Sequence, residues 1–106
     1  MSVLAGTTGL HARHDLDALI HQPIRLSIMA MLAHAERIDF AFVRDRLAVA
    51  DSNLSRHLTA LEEAGYVHID KVFEHKRGRT WLALTPRGRA AFDAHVAALR
   101  RIVEQG

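Results

Sequence analysis

Six basic side chains, Lys71, Lys76, Arg77, Arg79, Arg87 and Arg89, fall in a stretch that holds a single acid, Glu74. The rest of the 106-residue chain carries eight basic and eleven acidic residues, so a net charge of only +2 conceals a local concentration of positive charge. The chemistry open to such a cluster is contact with a polyanion; the plainer account is a solvated loop. A second group lies just upstream. With Leu54, Leu58 and Leu61 turned inward on a helical wheel, Ser52, Arg56 and Thr59 point outward, flanked by Asn53, Ser55 and Ala60. That outer face is short, polar and almost uncharged. Small polar side chains with one planar guanidinium can approach and hydrogen-bond the edges of bases in the major groove of a duplex. His57 lies nearer the core edge of the same wheel, where packing or a phosphate contact suits it better than base reading.

Other chemistries have weaker support. The chain has no cysteine, which removes disulfides and thiolate metal sites. Its eight histidines invite a metal reading. Zinc requires three or four converging ligands, and Asp93-x-His95 supplies half of such a set. His11 and His14 complete it only by approaching across a dimer, so scattered solvated histidines are the expectation, with no metal and no cofactor. No phosphate-binding glycine loop, nucleophile elbow or paired-carboxylate spacing marks an enzyme. No apolar run approaches the roughly 20 residues that span a bilayer. Met1 to Gly9 lacks the basic start and apolar stretch of a secretory signal, so the expected location is the cytoplasm, with association to the nucleoid when bound to DNA.

The elements that position these groups follow from periodicity. Residues 1–13 are expected to be a mobile tail and residues 14–106 one domain, with no repeat or linker. Leu16, Leu19 and Ile20 form a short apolar face behind Asp15 and Asp17, which predicts a first helix from His14. Pro23 opens the next helix, whose stripe is Ile24, Ile28, Met31 and Leu32. An extended pair is expected at Arg37 and Ile38. Asp39 then caps a brief helix carrying Phe40, Val43 and Leu47. After Ala48-Val49-Ala50, Asp51 or Ser52 caps a helix that stops at Gly65. Alternation then predicts one strand through Val67, Ile69 and Val72 and another through Thr80, Leu82 and Leu84. Glu74 to Arg79 is the hairpin loop, with glycine near its tip. Trp81, opposite in sense to Leu82, braces the hairpin. Thr85 and Pro86 start a last helix at about residues 86–104, whose Phe92, Val96, Leu99 and Val103 are spaced as a narrow seam. The fold class is therefore mainly α with a small β-hairpin, α+β.

Short helix, tight turn, capped helix and basic hairpin are the parts of a winged helix-turn-helix. The run Asn53-Leu-Ser-Arg-His-Leu-Thr-Ala-Leu-Glu-Glu-Ala-Gly-Tyr-Val67 resembles the recognition helix of winged-helix regulators of the ArsR-like and MarR-like groups. Arg79-Thr-Trp-Leu-Ala-Leu-Thr-Pro-Arg-Gly-Arg89 resembles their second wing strand and following helix start, and Leu19-Ile-His-Gln-Pro-Ile-Arg-Leu26 their opening helix. The resemblance implies a dimeric transcription factor that binds a partly palindromic double-stranded DNA site. On this reading Ser52, Asn53, Ser55, Arg56, His57 and Thr59 face the major groove. Lys76, Arg77 and Arg79 reach phosphate or the minor groove, and Leu16, Phe92, Val96, Leu99 and Val103 join two copies through N- and C-terminal helices. A metal- or small-molecule-responsive switch with an unidentified effector, and a protein-interaction module without DNA reading, are the alternatives.

Overall fold

The structure, a computed structural model, describes residues 10–106. A 3-10 turn (Ala12–Asp15) is followed by helix α1 (Pro23–Ala33), strand β1 (Ile38–Asp39), helices α2 (Phe40–Leu47) and α3 (Asp51–Glu63), strands β2 (Val67–Glu74) and β3 (Arg77–Leu84), and helix α4 (Pro86–Gln105). The strands form one antiparallel sheet in the order β1-β3-β2. Ile38 and Ile69 both pair with Leu82, which places the fully buried Leu82 at the centre of the sheet.

The core is built from α1, α2, α3 and the sheet: Ile28, Met29, Leu32, Val43, Leu54, Leu58, Leu61, Val67 and Leu82 are buried together with Ile20. The leucine spacing of α3 and the alternation of the strands read these positions correctly, with Ile69 half-buried against them. Helix α1 buries more than the single stripe its spacing predicts, because Met29 is enclosed beside Ile28 and Leu32. It runs through the middle of the fold, against α2, α3, α4 and β3, and a helix packed on several sides has little polar face. The extended pair lies at Ile38 and Asp39, one residue later than expected.

The first helix does not form as an α-helix. Leu16 is extended (φ −69°, ψ 141°) and Gln22 is extended (φ −80°, ψ 132°), so the segment between them has room for one turn, closed by His21 N–H donating to the Asp17 carbonyl at 2.9 Å. Pro23 disfavours the helical region for the residue before it, which is why Gln22 breaks the run. Gln22 instead caps α1, its side chain accepting from Arg25 N–H at 2.9 Å. Residues 1–9 of the expected tail lie outside the described residues. Within residues 10–13, the His11 ring accepts from Arg13 N–H at 3.0 Å and meets the Gly106 carbonyl at 3.0 Å. Arg101 bonds Asp15 at 2.6 Å, so this stretch lies along α4.

A partly buried polar cluster joins the same segment to α4. Asp17 accepts from the Tyr66 hydroxyl at 2.6 Å and from Leu19 and Ile20 N–H groups, while its own N–H donates to His95 Nδ1 at 3.0 Å. His95 is fully buried and its Nε2 stands 3.4 Å from His21 Nδ1. His95 is thus not solvated as the sequence suggests it should be; it is enclosed, while Asp93 is exposed.

An Nδ1 that accepts a hydrogen bond must be unprotonated, and burial, followed by the neighbouring His21, pushes the His95 pKa below its usual 6.5. The unfolded chain then binds more protons than the folded one as the pH drops below 6.5, so stability is present above that value and is lost on acidification. Urea denaturation at about pH 7.5 and about pH 5.5 is expected to give a lower midpoint at the acid pH, and His95→Gln a smaller difference between the two.

Candidate nucleic-acid interface

The connection between α2 and α3 is three residues long, Ala48 to Ala50. Ala48 takes the left-handed conformation (φ 55°), and Val49 and Ala48 N–H groups return to the Arg44 and Asp45 carbonyls, a helix stop of the kind that glycine usually supplies. The Arg44 guanidinium bonds Asp45 at 2.9 Å and Asp51 at 3.1 Å, tying the end of α2 to the first turn of α3. Asp51 is therefore the first residue of α3 rather than its cap, which is Ala50. At the other end Gly65 (φ 80°) ends the helix as expected.

On α3 the outward face is as the wheel predicts for Ser52, Ser55, Arg56 and Thr59, all exposed. Arg56 makes no ion pair among the described residues. Asn53 is half-buried. His57 is a correction: it is turned inward with 9% exposure, and its Nδ1 stands 3.4 Å from the Arg25 guanidinium. Burial and the charges of Arg25 and Arg56 lower its pKa, so it sits neutral behind the helix and is removed from the DNA-facing set.

The hairpin corrects the sequence reading in a second way. Its turn has two residues, His75 and Lys76, both at positive φ (49° and 66°), as a type I′ turn requires. Glu74 and Arg77 already pair across it, and Gly78 lies within β3, opposite Phe73. The usual glycine or asparagine signal is missing from this turn, and the expected tip near Gly78 lies two residues too late.

Alternation divides the hairpin into two faces. One carries Ile69, Lys71 and Phe73 on β2, with Thr80 and Gly78 opposite. Ile69, Lys71 and Thr80 share a groove of about 540 Å³ with Ser55, Leu58, Thr59 and Glu62 of α3, so this face looks toward the outward side of the helix. The other face carries Val72, Glu74, Arg77, Arg79 and Trp81. There Trp81 is covered by the guanidinium groups of Arg37 at 3.9 Å and Arg79 at 4.9 Å from the ring centroid. Arg79 also approaches Asp39 at 3.7 Å and Glu74 at 3.9 Å. Trp81 braces the hairpin as expected, but Arg79 is engaged in that brace. Lys76 and Arg77 are exposed without ion pairs among the described residues. Lys71, one of the basic cluster, is the cation on the face toward α3, a placement that only the strand register reveals.

Helix α4 is positioned by the Thr85-Pro86-Arg87-Gly88 run. Thr85 caps the helix, accepting from Gly88 N–H at 2.9 Å, donates from its hydroxyl to the Gly65 carbonyl at 2.6 Å, and donates from its backbone N–H to the Tyr66 carbonyl at 3.0 Å. Gly88 lets the helix close on that carbonyl: a Cβ there would lie 2.0 Å from Tyr66 O. Of the expected seam, Phe92 packs on the core, Val96 and Leu99 are half-buried, and Val103 is exposed. Leu16 is half-buried.

Comparison with known proteins agrees with this geometry. The sequence profile of the winged helix DNA-binding domain matches residues 24–103. An uncharacterized protein of Methanocaldococcus jannaschii is 32% identical over 78 residues, 74% of this chain and 85% of that protein. A transcriptional regulator homologue from Pyrococcus horikoshii superposes with a TM-score of 0.77 at 27% identity, over 81% of this chain and 85% of the other. A protein of Enterococcus faecalis assigned to the MarR family of regulators superposes with a TM-score of 0.70 at 26% identity, over 82% and 77% of the two chains. The match of the profile to the helix-turn-helix, the hairpin and α4 together establishes that this chain belongs to the winged helix DNA-binding domain family, with the architecture of a transcriptional regulator.

Proposed function

We propose that the protein is a homodimeric, sequence-specific regulator that binds double-stranded DNA and represses transcription by occupying its site. The observation that carries this reading is the face of α3. Ser52, Ser55, Arg56 and Thr59 are exposed together on a helix fixed at both ends, beside a hairpin face that brings Lys71. Such a surface suits hydrogen bonds to base edges, with Lys76 and Arg77 on phosphate. Glu62 and Glu63 lie at the far end of α3, where repulsion from phosphates is least harmful. On this reading the protein works in the cytoplasm, where the chromosome of a prokaryote lies.

The dimer rests on α4. Val96, Leu99 and Val103 form a stripe at helical spacing that the protomer leaves partly or wholly uncovered. A second copy related by a two-fold axis would cover it and set two α3 helices about one DNA turn apart, roughly 34 Å. Phe92 contributes from beneath, as a core residue. Leu99→Glu is expected to give monomers in light scattering and to weaken binding to a two-half-site duplex to the level of a single half-site. An unchanged dimer would rule out this seam.

A further inference from the structure

We propose that the paired rings of His21 and His95 are a proton-operated release, which frees α4 from the part of the chain that carries α3 on acidification and so lowers the affinity of the dimer for its DNA site. The inference rests on the DNA-binding dimer proposed above and names what regulates it, the proton.

Hydrogen-bond direction fixes where the protons of the two rings lie. His95 Nδ1 accepts from Asp17 N–H at 3.0 Å, so in the neutral ring the proton is on Nε2. That Nε2 stands 3.4 Å from His21 Nδ1, which must then accept, and the His21 proton lies on its own Nε2. The rings meet edge to face with centroids 5.3 Å apart. Donation therefore runs one way, from the Asp17 backbone through the enclosed His95 to the exposed His21. A further proton has no free place in this chain. On His95 Nδ1 it would face the Asp17 N–H. On His21 Nδ1 it would face the His95 Nε2–H, and moving that proton across the His95 ring only carries the conflict to Asp17. Either protonation breaks a hydrogen bond, and on His95 it also buries a charge.

The surrounding groups do not offset that cost. The Asp17 carboxylate favours a charged His95 but is taken up by the Tyr66 hydroxyl and by the Leu19 and Ile20 N–H groups. Tyr66 keeps its proton, because the bond to Asp17 holds its pKa above the usual 10. Arg87 of α4 lies over the Tyr66 ring at 6.0 Å, and Arg25 of α1 is turned to the Leu19 carbonyl and His57. Asp15 and Arg101 are paired with each other.

The cluster joins three parts of the fold. Asp17 and His21 lead into α1, His95 stands on α4, and Tyr66 follows the glycine that ends α3. Because α4 carries the stripe assigned to the dimer seam, the cluster sets how each α3 sits relative to the two-fold axis. The docked form binds fewer protons than the released form, so acid favours release. The sign is distinctive. Protonating exposed histidines such as His68 and His75 adds positive charge to the hairpin, which by itself strengthens binding to phosphate.

The experiment uses the full chain, with EDTA present and circular dichroism confirming the fold at each pH, and a duplex selected from random sequence at about pH 7.5. Affinity for that duplex is expected to fall about 10- to 100-fold by about pH 5.5, tenfold for one pKa unit in one protomer and a hundredfold for both, while affinity for a single half-site does not fall. His95→Gln, which cannot take the proton, should not weaken at the acid pH. Because a substitution inside the fold can unsettle it, nitrogen NMR of the native rings gives a second reading: both rings neutral with the proton on Nε2 at the higher pH, charging over the range in which binding is lost. Native affinity that holds or rises on acidification, an equal loss in His95→Gln, or a His95 proton on Nδ1 would overturn the release and leave the DNA-binding reading standing. A native chain that selects no duplex even at the higher pH would overturn both.

Discussion

Gly88→Ala is expected to destabilise the fold by about 2–4 kcal/mol, lowering the thermal midpoint by more than about 10 °C. The added Cβ would stand 2.0 Å from the Tyr66 carbonyl oxygen and 2.7 Å from its carbon. These are backbone atoms just before β2, so no rotamer change relieves the clash and α4 must lift. Lifting it strains the Thr85 N–H bond to Tyr66 and the Thr85 hydroxyl bond to Gly65. Overpacking of this kind typically costs about 1–3 kcal/mol, and a lost hydrogen bond adds about 1 kcal/mol. Helix propensity alone predicts the opposite sign, since alanine is better than glycine by about 1 kcal/mol inside a helix. The direction of the measured shift in scanning calorimetry therefore separates the two: a stabilised variant would mean that α4 does not dock on Tyr66 as described.

Arg56→Ala should leave stability within about 0.5 kcal/mol, because the side chain is exposed and makes no ion pair among the described residues, and should weaken binding to the preferred DNA by about 1–3 kcal/mol. The loss should be concentrated on the preferred sequence, so that discrimination against a base change at one position disappears. Arg56→Lys is expected to restore little of it, since an ammonium cannot make the two parallel bonds of a guanidinium to a guanine edge. Lys76→Ala gives the contrast: weaker binding to all sequences alike and a salt dependence shallower by about one unit. Titrations of both variants against preferred and scrambled duplexes check the division. Equal losses on the two duplexes for Arg56→Ala would place that residue on phosphate instead.

Much of the fold was legible because local patterns and tertiary structure agree. Leu54, Leu58 and Leu61 read as one buried stripe and are one, and Thr85 with Pro86 reads as a helix start and caps α4. What the sequence hid depended on partners far along the chain or on unusual backbone. His95 looked like a surface histidine, yet the groups that bury it, Asp17 and His21, lie more than seventy residues away. The hairpin turn is made by His75 and Lys76 at positive φ, residue types that do not signal such a turn, whereas Gly78 does and lies within β3. That mismatch also hid the division of the wing. With the register known, Arg79 belongs with Trp81 and Asp39, and Lys71 and Phe73 face the side of α3. His57 was read near the core edge of the wheel; its approach to Arg25 places it inside.

The most direct test of the central claim, that α3 reads DNA within a symmetric dimer, is selection of bound duplexes from a random-sequence pool by the full chain at moderate salt. The account predicts enrichment of an inverted repeat whose half-sites lie about one helical turn, roughly 10 base pairs, apart, with the preference at one position of each half-site lost by Arg56→Ala. A pool that remains unenriched after repeated rounds, or that the protein fails to retain, would contradict it.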